Sequence, residues 1–199
     1  MIIIGITGPT GAGKTTALRE LEELDGHIID ADAVYHGLLA NNMSLRAELE
    51  ARFGPLTDPD GSFERKKLGA VVFNDPAALE DLNVITHRYI GAAIRGEIAK
   101  AEEQGRAAAA IDAIRLFESG LGELCHTTVA IVAPAEVRVR RIMAREGISE
   151  GYARARVAAQ KDDGYYTGLC DHTLNGNCSS AEEFAANARA LFQKILDKD

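Results

Sequence analysis

One stretch of the chain reads Gly8-Pro9-Thr10-Gly11-Ala12-Gly13-Lys14-Thr15. It fits the pattern GxxxxGK[ST], which forms a phosphate-binding loop when a strand precedes it and a helix follows it. Here the apolar run Ile2 to Ile6 comes before the stretch, and a helical pattern from Lys14 to Leu24 follows it. Glycines let the backbone curl so that N–H groups point at phosphate oxygens, and the helix adds its positive N-terminal end. The stretch therefore predicts a nucleotide-binding loop.

The residues of this loop have expected roles toward ATP. Lys14 should reach the β- and γ-phosphates, and the Thr15 hydroxyl should ligate Mg²⁺. The nearest alternative is a dinucleotide-binding loop, but position 16 is Thr where that pattern needs a third glycine, and it gives Lys14 no role. The residues predicted to bind ATP in this segment are Gly8, Gly11, Ala12, Gly13, Lys14, Thr15 and Thr16.

Outward from the loop, short apolar runs alternate with helical patterns. Such alternation is typical of a parallel sheet covered by helices on both faces. We predict an α/β, three-layer P-loop fold with five parallel strands in a single domain, residues 1–199. Its core should comprise about residues 1–31, 106–135 and 165–199, with a helical acceptor-binding insertion at about 32–105 and an arginine-rich lid at about 136–164. The predicted strands are Ile2 to Ile6, Ile28-Ile29, Ala107 to Ile111, Thr128 to Ala133 and, more weakly, His172 to Leu174.

Composition narrows the classes of partner and compartment. Lys and Arg total 22 against 30 Asp and Glu, so the net charge of -8 argues against nucleic acid as the main partner. The three cysteines form no CxxC pair and no disulfide framework, which is typical of a reducing cytoplasm. No secretory signal or membrane-spanning segment is visible, so we expect a cytoplasmic protein without a membrane partner. The oligomeric state is left open.

Carboxylates follow two of the predicted strands, at the edge where ligands gather in open α/β sheets. Asp30-Ala31-Asp32 follows the second strand, and in an extended segment both side chains would face the same side. Asp32 is the candidate base for an acceptor hydroxyl, whereas Asp30 could equally be a helix cap. Asp112 ends the third strand and is expected at the Mg²⁺ ion with Thr15, with a strand-end turn residue as the alternative.

A second charged stretch lies between the last two predicted strands. Arginine forks bind phosphate oxygens in pairs and stabilise charge on a transferring phosphoryl group. For each arginine an exposed helix surface is the alternative, and we expect only two or three of the six to touch nucleotide. The stretch runs from Glu136 to Lys161 and carries Arg138, Arg140, Arg141, Arg145, Arg154 and Arg156.

The order of these parts resembles the dephospho-CoA kinases over nearly the whole chain. Beyond the phosphate loop, the resemblance rests on Asp-Ala-Asp at 30–32, Leu-Phe-Glu-Ser-Gly at 116–120 and a late Gln160. Further matching segments are Arg52-Phe53-Gly54, residues 60–69 from Asp60 to Gly69, Val72-Phe73-x-Asp75, Thr86-His87 and the stretch from Arg141 to Gln160. The chain departs from the family's usual residues with Arg88 after His87, with Ile114-Arg115 before Leu116 and with Leu174-Asn175-Gly176 near the end.

The resemblance implies an activity and further site residues. It implies an enzyme that phosphorylates the 3′-hydroxyl of dephospho-CoA with ATP and Mg²⁺, in the last step of coenzyme A synthesis. Asp32 is then the catalytic base, and Lys14 and Arg141 also act in catalysis. Arg65, His87, Phe117 and Glu118 would line the dephospho-CoA site, and Arg141, Arg145 and Arg156 would close on ATP. The alternatives are a P-loop kinase of another nucleoside, nucleotide or small alcohol, and a slow nucleotide-binding regulatory switch.

Overall fold

A computed structural model of the chain describes residues 1–58, 61–73 and 75–197. The five strands are β1 Ile2–Thr7, β2 Gly26–Asp30, β3 Ala108–Asp112, β4 Thr127–Val132 and β5 His172–Asn175. The helices are α1 Lys14–Glu23, α2 Ala31–Asn41, α3 Met43–Phe53, α4 Arg65–Val72, α5 Pro76–Glu103, α6 Ala135–Glu146, α7 Glu150–Ala158, α8 Asp163–Leu169 and α9 Ala181–Leu196. A short 3₁₀ turn spans Leu121–Leu124. The sequence from Thr57 to Gly61 predicts a polar turn, and its residues Pro59 and Asp60 lie outside the described residues.

The strands form one sheet in the order β2-β3-β1-β4-β5. β1 pairs in parallel with both β3 and β4, and β4 pairs in parallel with β5. All five predicted strands are present, including the weak one at 172, and the predicted α/β fold is confirmed. Since β1 lies at the centre, the loop that follows it begins in the middle of the sheet's carboxyl edge, where such folds bind ligands.

Alternation along β4 shows how the sheet is buried on both faces. Val129 and Ile131 join a core that contains the apolar faces of α1 and α9. Ala130 and Val132 point the other way and pack against Tyr166 of α8. Successive strand residues face opposite sides of a sheet, so a strand with apolar residues at every position must be covered twice. The unbroken apolar run at 129–133 already predicts this.

The chain divides into two compact units, one comprising Met1–Ile29 with Ile98–Asp199 and the other Asp30–Glu97. The first unit contains the sheet. The second is helical and has a core of its own: Leu39, Leu45, Leu49, Leu56, Leu68, Val72 and Ala78. The finer division into core, insertion and lid within a single domain stays a prediction.

Within residues 1–58, 61–73 and 75–197, no helix has the length and apolar character needed to cross a bilayer. The cytoplasmic location stays a prediction.

Candidate active site

The loop between β1 and α1 adopts a backbone that only glycine allows at several positions. Gly8, Gly11 and Gly13 have φ angles of 141°, 83° and 122°, all in the region that L side chains rarely adopt. A Cβ atom at Gly8 would lie 2.0 Å from the carbonyl oxygen of Ile131 in β4. The glycines of the motif therefore serve both conformation and close packing against the neighbouring strand.

The residues after these glycines begin α1. Gly13 is the N-cap of α1, so Lys14 and Thr15 occupy its first turn. The Lys14 ammonium donates a hydrogen bond to the Gly8 carbonyl at 3.0 Å, back across the loop. Thr15 is exposed, Thr16 is half-buried and Ala12 is fully buried. The loop thus has a basic side chain folded over it and the first N–H groups of a helix at its end, the arrangement that suits an anion.

The segment after β2 is helical and not extended, so the condition under which Asp30 and Asp32 would face the same side is not met. Asp30 accepts a hydrogen bond from the Ala33 backbone N–H at 3.0 Å and caps α2. The cap starts the helix at Ala31, so Asp32 stands in the first helical turn and not in an extended segment. The period-two alternation of a strand therefore does not apply to the pair, since Asp30 has an extended backbone and Asp32 a helical one. Asp30 therefore has the capping role that was its alternative, while Asp32 is exposed.

Asp112 is the last residue of β3 and lies opposite Ile6 in the parallel register. The next residues stay beside β1: Ala113 donates its N–H to the Ile6 carbonyl at 3.1 Å, and the Thr7 hydroxyl donates to the Ile114 carbonyl at 3.2 Å. Asp112 is thus held next to the strand that leads into the loop. In the described part of the chain no group of three or more His, Cys, Asp or Glu could hold a metal ion. Mg²⁺ bound mainly through phosphates and water needs fewer protein ligands than that.

Two arginines of α6 bind the backbone of the phosphate loop. Arg138 is buried and donates from Nε to the Thr10 carbonyl at 3.1 Å. Arg141, one turn later, donates from Nη1 to the Gly11 and Ala12 carbonyls, both at 3.2 Å, and from Nη2 to the Gly176 carbonyl at 2.7 Å. The predicted role of Arg141 in catalysis stays a prediction.

The other arginines of α6 and α7 that were singled out for ATP are paired with glutamates. Arg145 and Arg156 both donate to Glu146, and these hydrogen bonds hold the pKa of Glu146 below its ordinary value. Arg154 bridges Glu136 and Glu150 on the same helix pair. A small apolar core joins the two helices beneath these pairs: Val139, Ile142, Ala153 and Val157.

In the helical unit, Arg65 begins α4 and its guanidinium lies 2.9 Å from Nδ1 of His36 on α2. Burial raises the pKa of the neighbouring Tyr35, and the charge of Arg65 opposes that rise. His87 lies half-buried on α5. An open cavity of about 600 Å³ begins at Arg65 and is lined further by Lys66, Gly69, Ala70 and Phe73.

Phe117 and Glu118, also predicted in the acceptor site, belong to the first unit, in the segment after β3. The half-buried Phe117 ring packs against the Gly122 backbone, where an added Cβ would lie 3.1 Å from it. Glu118 is exposed and takes part in a hydrogen bond with Tyr165 of α8. Burial raises the pKa of Tyr165, and this bond raises it further.

Sequence reasoning did not separate Arg138 from its neighbours or give Gln160 a role. In the structure both contact Thr10 of the phosphate loop. One signal was present for Arg138, because it precedes Val139 and stands four residues before Ile142, so it shares the apolar face of α6. An arginine on the apolar face of a helix is a candidate for a buried, paired role. Gln160, just past the end of α7, offers no comparable pattern.

A parallel sheet with a GxxxxGKT loop between its central strand and a helix defines the P-loop class of nucleotide-binding proteins. Comparison with known proteins narrows this class. Residues 2–182 match the family model described as dephospho-CoA kinase, and the chain belongs to this family.

Individual relatives agree with the family assignment. The dephospho-CoA kinase of Dehalococcoides mccartyi is 40% identical over 179 residues, which covers 89% of this chain and 90% of the relative. A Thermus thermophilus crystal structure superposes with a TM-score of 0.79 at 29% identity, covering 98% of this chain and 97% of the other. The Campylobacter jejuni dephospho-CoA kinase gives a TM-score of 0.61 at 29% identity, covering 97% and 96%. The resemblance seen in the sequence is confirmed, and the protein is a kinase.

Proposed function

We propose that this protein transfers the γ-phosphoryl group of ATP to the 3′-hydroxyl of dephospho-CoA, giving ADP and coenzyme A. The observation that carries the proposal is a complete phosphate loop in its strand–loop–helix setting, within a family match over residues 2–182. ATP is the phosphoryl donor that the kinase family implies. Dephospho-CoA is proposed as the acceptor because the family and two of the relatives described above are named dephospho-CoA kinases.

The loop residues bind and position the triphosphate. Lys14 already lies across the loop, bonded to the Gly8 carbonyl, and phosphate oxygens of ATP offer its ammonium a stronger, charged acceptor. The N–H groups of the first turn of α1 supply further donors. In phosphoryl transfer little covalent chemistry is left to the protein, so this positioning and charge stabilisation supply most of the rate enhancement.

Asp32 is the proposed base that accepts the proton of the acceptor hydroxyl. Its carboxylate is exposed on the first turn of α2, so it is accessible to a ligand. Neighbouring Asp30 is occupied by its capping bond to Ala33, which leaves Asp32 as the carboxylate of this motif available for chemistry. The protein must accept or position this proton as the phosphorus–oxygen bond to the acceptor forms.

Thr15 and Asp112 are the residues proposed to hold Mg²⁺. A hydroxyl and a carboxylate are hard oxygen donors, the type that Mg²⁺ prefers, and Thr15 is exposed at the loop. The ion, when bound, neutralises negative charge on the β- and γ-phosphates.

The remaining contacts are proposed from family position and side-chain chemistry. Arg141, next to the loop backbone, would stabilise charge on the transferring group. Arg145 and Arg156 would exchange the carboxylate of Glu146 for phosphate oxygens of ATP, one anion for another. Arg65, His87, Phe117 and Glu118 would contact dephospho-CoA.

A panel of acceptors tests the proposed reaction. ADP release is measured by a coupled assay with dephospho-CoA, adenosine, AMP and no acceptor, and the product is compared with authentic coenzyme A by mass and chromatography. We expect dephospho-CoA to be the fastest acceptor and coenzyme A to be the product. Replacing Mg²⁺ by excess chelator should abolish turnover, as should Lys14→Ala, which removes the phosphate-binding ammonium.

The outcomes separate the alternatives. If dephospho-CoA is inert and another alcohol is phosphorylated, the acceptor assignment is wrong. If ADP forms slowly at the same rate with and without any acceptor, the protein is a nucleotide hydrolase and not a kinase of small molecules.

A further inference from the structure

Thr10, in the middle of the phosphate loop, has all of its polar groups bonded to two distant side chains. Its carbonyl accepts from Nε of Arg138 at 3.1 Å. Its backbone N–H donates to Oε1 of Gln160 at 3.1 Å, and its hydroxyl accepts from Nε2 of Gln160 at 2.8 Å. One residue of the loop is therefore clamped from α6 and from the segment after α7.

The two clamping side chains are also bonded to each other. Nη2 of Arg138 donates to Oε1 of Gln160 at 2.5 Å, which closes a ring of hydrogen bonds around Thr10. Asp163 lies 3.9 Å from Nη1 of Arg138 and supplies a countercharge. Only 4% of the Arg138 side chain is exposed. A buried guanidinium is costly unless its donors are paired, so each lost bond in this ring leaves an unsatisfied group behind.

The orientation of the loop's peptide groups follows from these bonds and from those of Arg141. The carbonyls of Thr10, Gly11 and Ala12 accept, in sequence, from Arg138, Arg141 and Arg141. In a planar trans peptide the C=O and the following N–H point in opposite directions. The N–H groups of Gly11 and Gly13 are therefore turned away from the arginines, as a loop that donates to an anion requires.

The packing between the loop and α6 leaves little room for another arrangement. A Cβ atom on Gly11 would lie 3.0 Å from the carbonyl oxygen of Arg138 and 3.1 Å from its Cα. The loop backbone thus rests directly on the helix that carries both arginines. A shift of α6 must displace the loop, and a shift of the loop must break the ring around Thr10.

We propose that Arg138 and Gln160 are positioning residues, which act on ATP through Thr10 by fixing the phosphate loop with its N–H groups presented to the phosphates. They need not touch the nucleotide themselves. Gln160 lies between α7 and α8, and Arg138 lies on α6. Their hydrogen bonds to Thr10 therefore couple the α6–α7 pair to the phosphate loop. The inference rests on the proposed use of this loop as the ATP site, but not on the identity of the acceptor.

Gln160→Ala is the variant that tests the proposal, because it removes the Gln160 amide from the ring and keeps the guanidinium of Arg138. Losing hydrogen bonds to a buried charged group should lower kcat/KM for ATP about tenfold or more. Binding of a non-hydrolysable ATP analogue, measured by calorimetry, should weaken in parallel, while KM for dephospho-CoA stays within about twofold. Gln193→Ala, an exposed glutamine of α9, is the matched control and should leave all values unchanged.

A double-mutant cycle with Thr10→Val separates positioning from general stability. This substitution removes the Thr10 hydroxyl that accepts from Nε2 of Gln160 and leaves the other two bonds of Gln160 in place. The two variants share that one bond, so their combined loss of ATP binding should be smaller than the sum of the two single losses. Independent, additive effects on ATP binding would overturn the proposal, as would a Gln160→Ala protein that binds the analogue normally. Melting temperatures of all variants show whether the losses arise from unfolding.

If Gln160→Ala does not fold, Gln160→Glu, which keeps the acceptor oxygens but not the donor to Thr10, is carried through the same cycle. Because analogue binding needs no acceptor, an inert dephospho-CoA would contradict the proposed function without touching this inference.

Discussion

Asp30 and Asp32 have different roles because the backbone changes from strand to helix between them. Asp30 is the last residue of β2 and Asp32 comes two residues later, so both would face one side if the strand continued. The hydrogen bond from the Ala33 N–H to Asp30 instead starts a helix. Asp30 thereby becomes structural, and Asp32 is left exposed in the first turn of α2.

Asp32→Asn tests the role of this carboxylate as the base. The substitution keeps the shape of the side chain and removes the proton acceptor, so kcat should fall by roughly 10²-fold or more. Binding of ATP should change little, because Asp32 is not proposed as a phosphate ligand. Single-turnover kinetics and analogue binding measure the two quantities separately.

Asp30→Asn is the matched control for that experiment. Asparagine caps helices about as well as aspartate, so α2 should stay intact and turnover should remain near that of the unmodified protein. An Asp32→Asn protein that works at the normal rate would remove the base assignment.

Among the elements, β4 and β5 are joined by a carboxylate in addition to their parallel backbone pairing. Asp171, just before β5, accepts hydrogen bonds from the Thr128 hydroxyl and backbone N–H, both at 2.8 Å. The Thr127 hydroxyl adds a weaker one at 3.4 Å. The bond from the Thr128 hydroxyl is the main reason why the pKa of Asp171 lies below its ordinary value. Folding therefore favours the ionised form of Asp171, which supports the pairing of β5 with β4.

Asp171→Asn should destabilise the protein in a pH-dependent way. A carboxyl whose pKa is lowered by folding contributes stability above its unfolded pKa of about 3.9, and the contribution is lost as pH falls through the folded pKa. The difference in unfolding free energy between the two proteins should be largest near neutral pH and shrink below about pH 4. Urea unfolding at several pH values measures it. A difference that stays constant with pH would contradict the ionic role of Asp171, and Asp197→Asn, exposed at the end of α9, serves as the surface control.

At the scale of the whole molecule, the helix pair α6–α7 brings together much of the positive charge that ATP would need. Arg145, Arg154 and Arg156 are paired with glutamates at the surface. Arg138 and Arg141 instead bind the backbone of the phosphate loop. The pair has its own apolar core, so it can respond as a unit when the loop is filled. In an acidic chain of net charge -8, this concentration of arginines is the region best suited to a polyanionic nucleotide.

Hydrogen exchange tests whether this region responds to nucleotide. Binding of an ATP analogue should slow exchange of backbone amides in residues 136–164, because new bonds from arginine to phosphate oxygens suppress local opening. Amides of β3 in the buried sheet should change little and provide the internal control. Equal exchange in residues 136–164 with and without the analogue would leave these arginines as surface charges.

Much of this protein was determined by local sequence. The glycine spacing before Lys14 matches the phosphate-loop motif. The apolar runs at 2–6, 107–111 and 128–133 are long enough to be strands covered on both faces. Even the short strand at 172–175 was visible. These features depend on residues close together in the chain, so periodicity and motif spacing suffice to predict them.

Tertiary structure decided which partners the buried polar side chains have. Arg138 and Arg145 stand on the same helix, yet one is enclosed against the Thr10 carbonyl and the other is paired with Glu146 at the surface. Gln160 meets Thr10 across 150 residues of chain. Side chains of one type differ in energy only through their burial and their partners, and both are set when distant segments pack together. The sequence therefore determined the loop and the sheet. The packing of distant segments determined that Arg138 and Gln160 contact the loop.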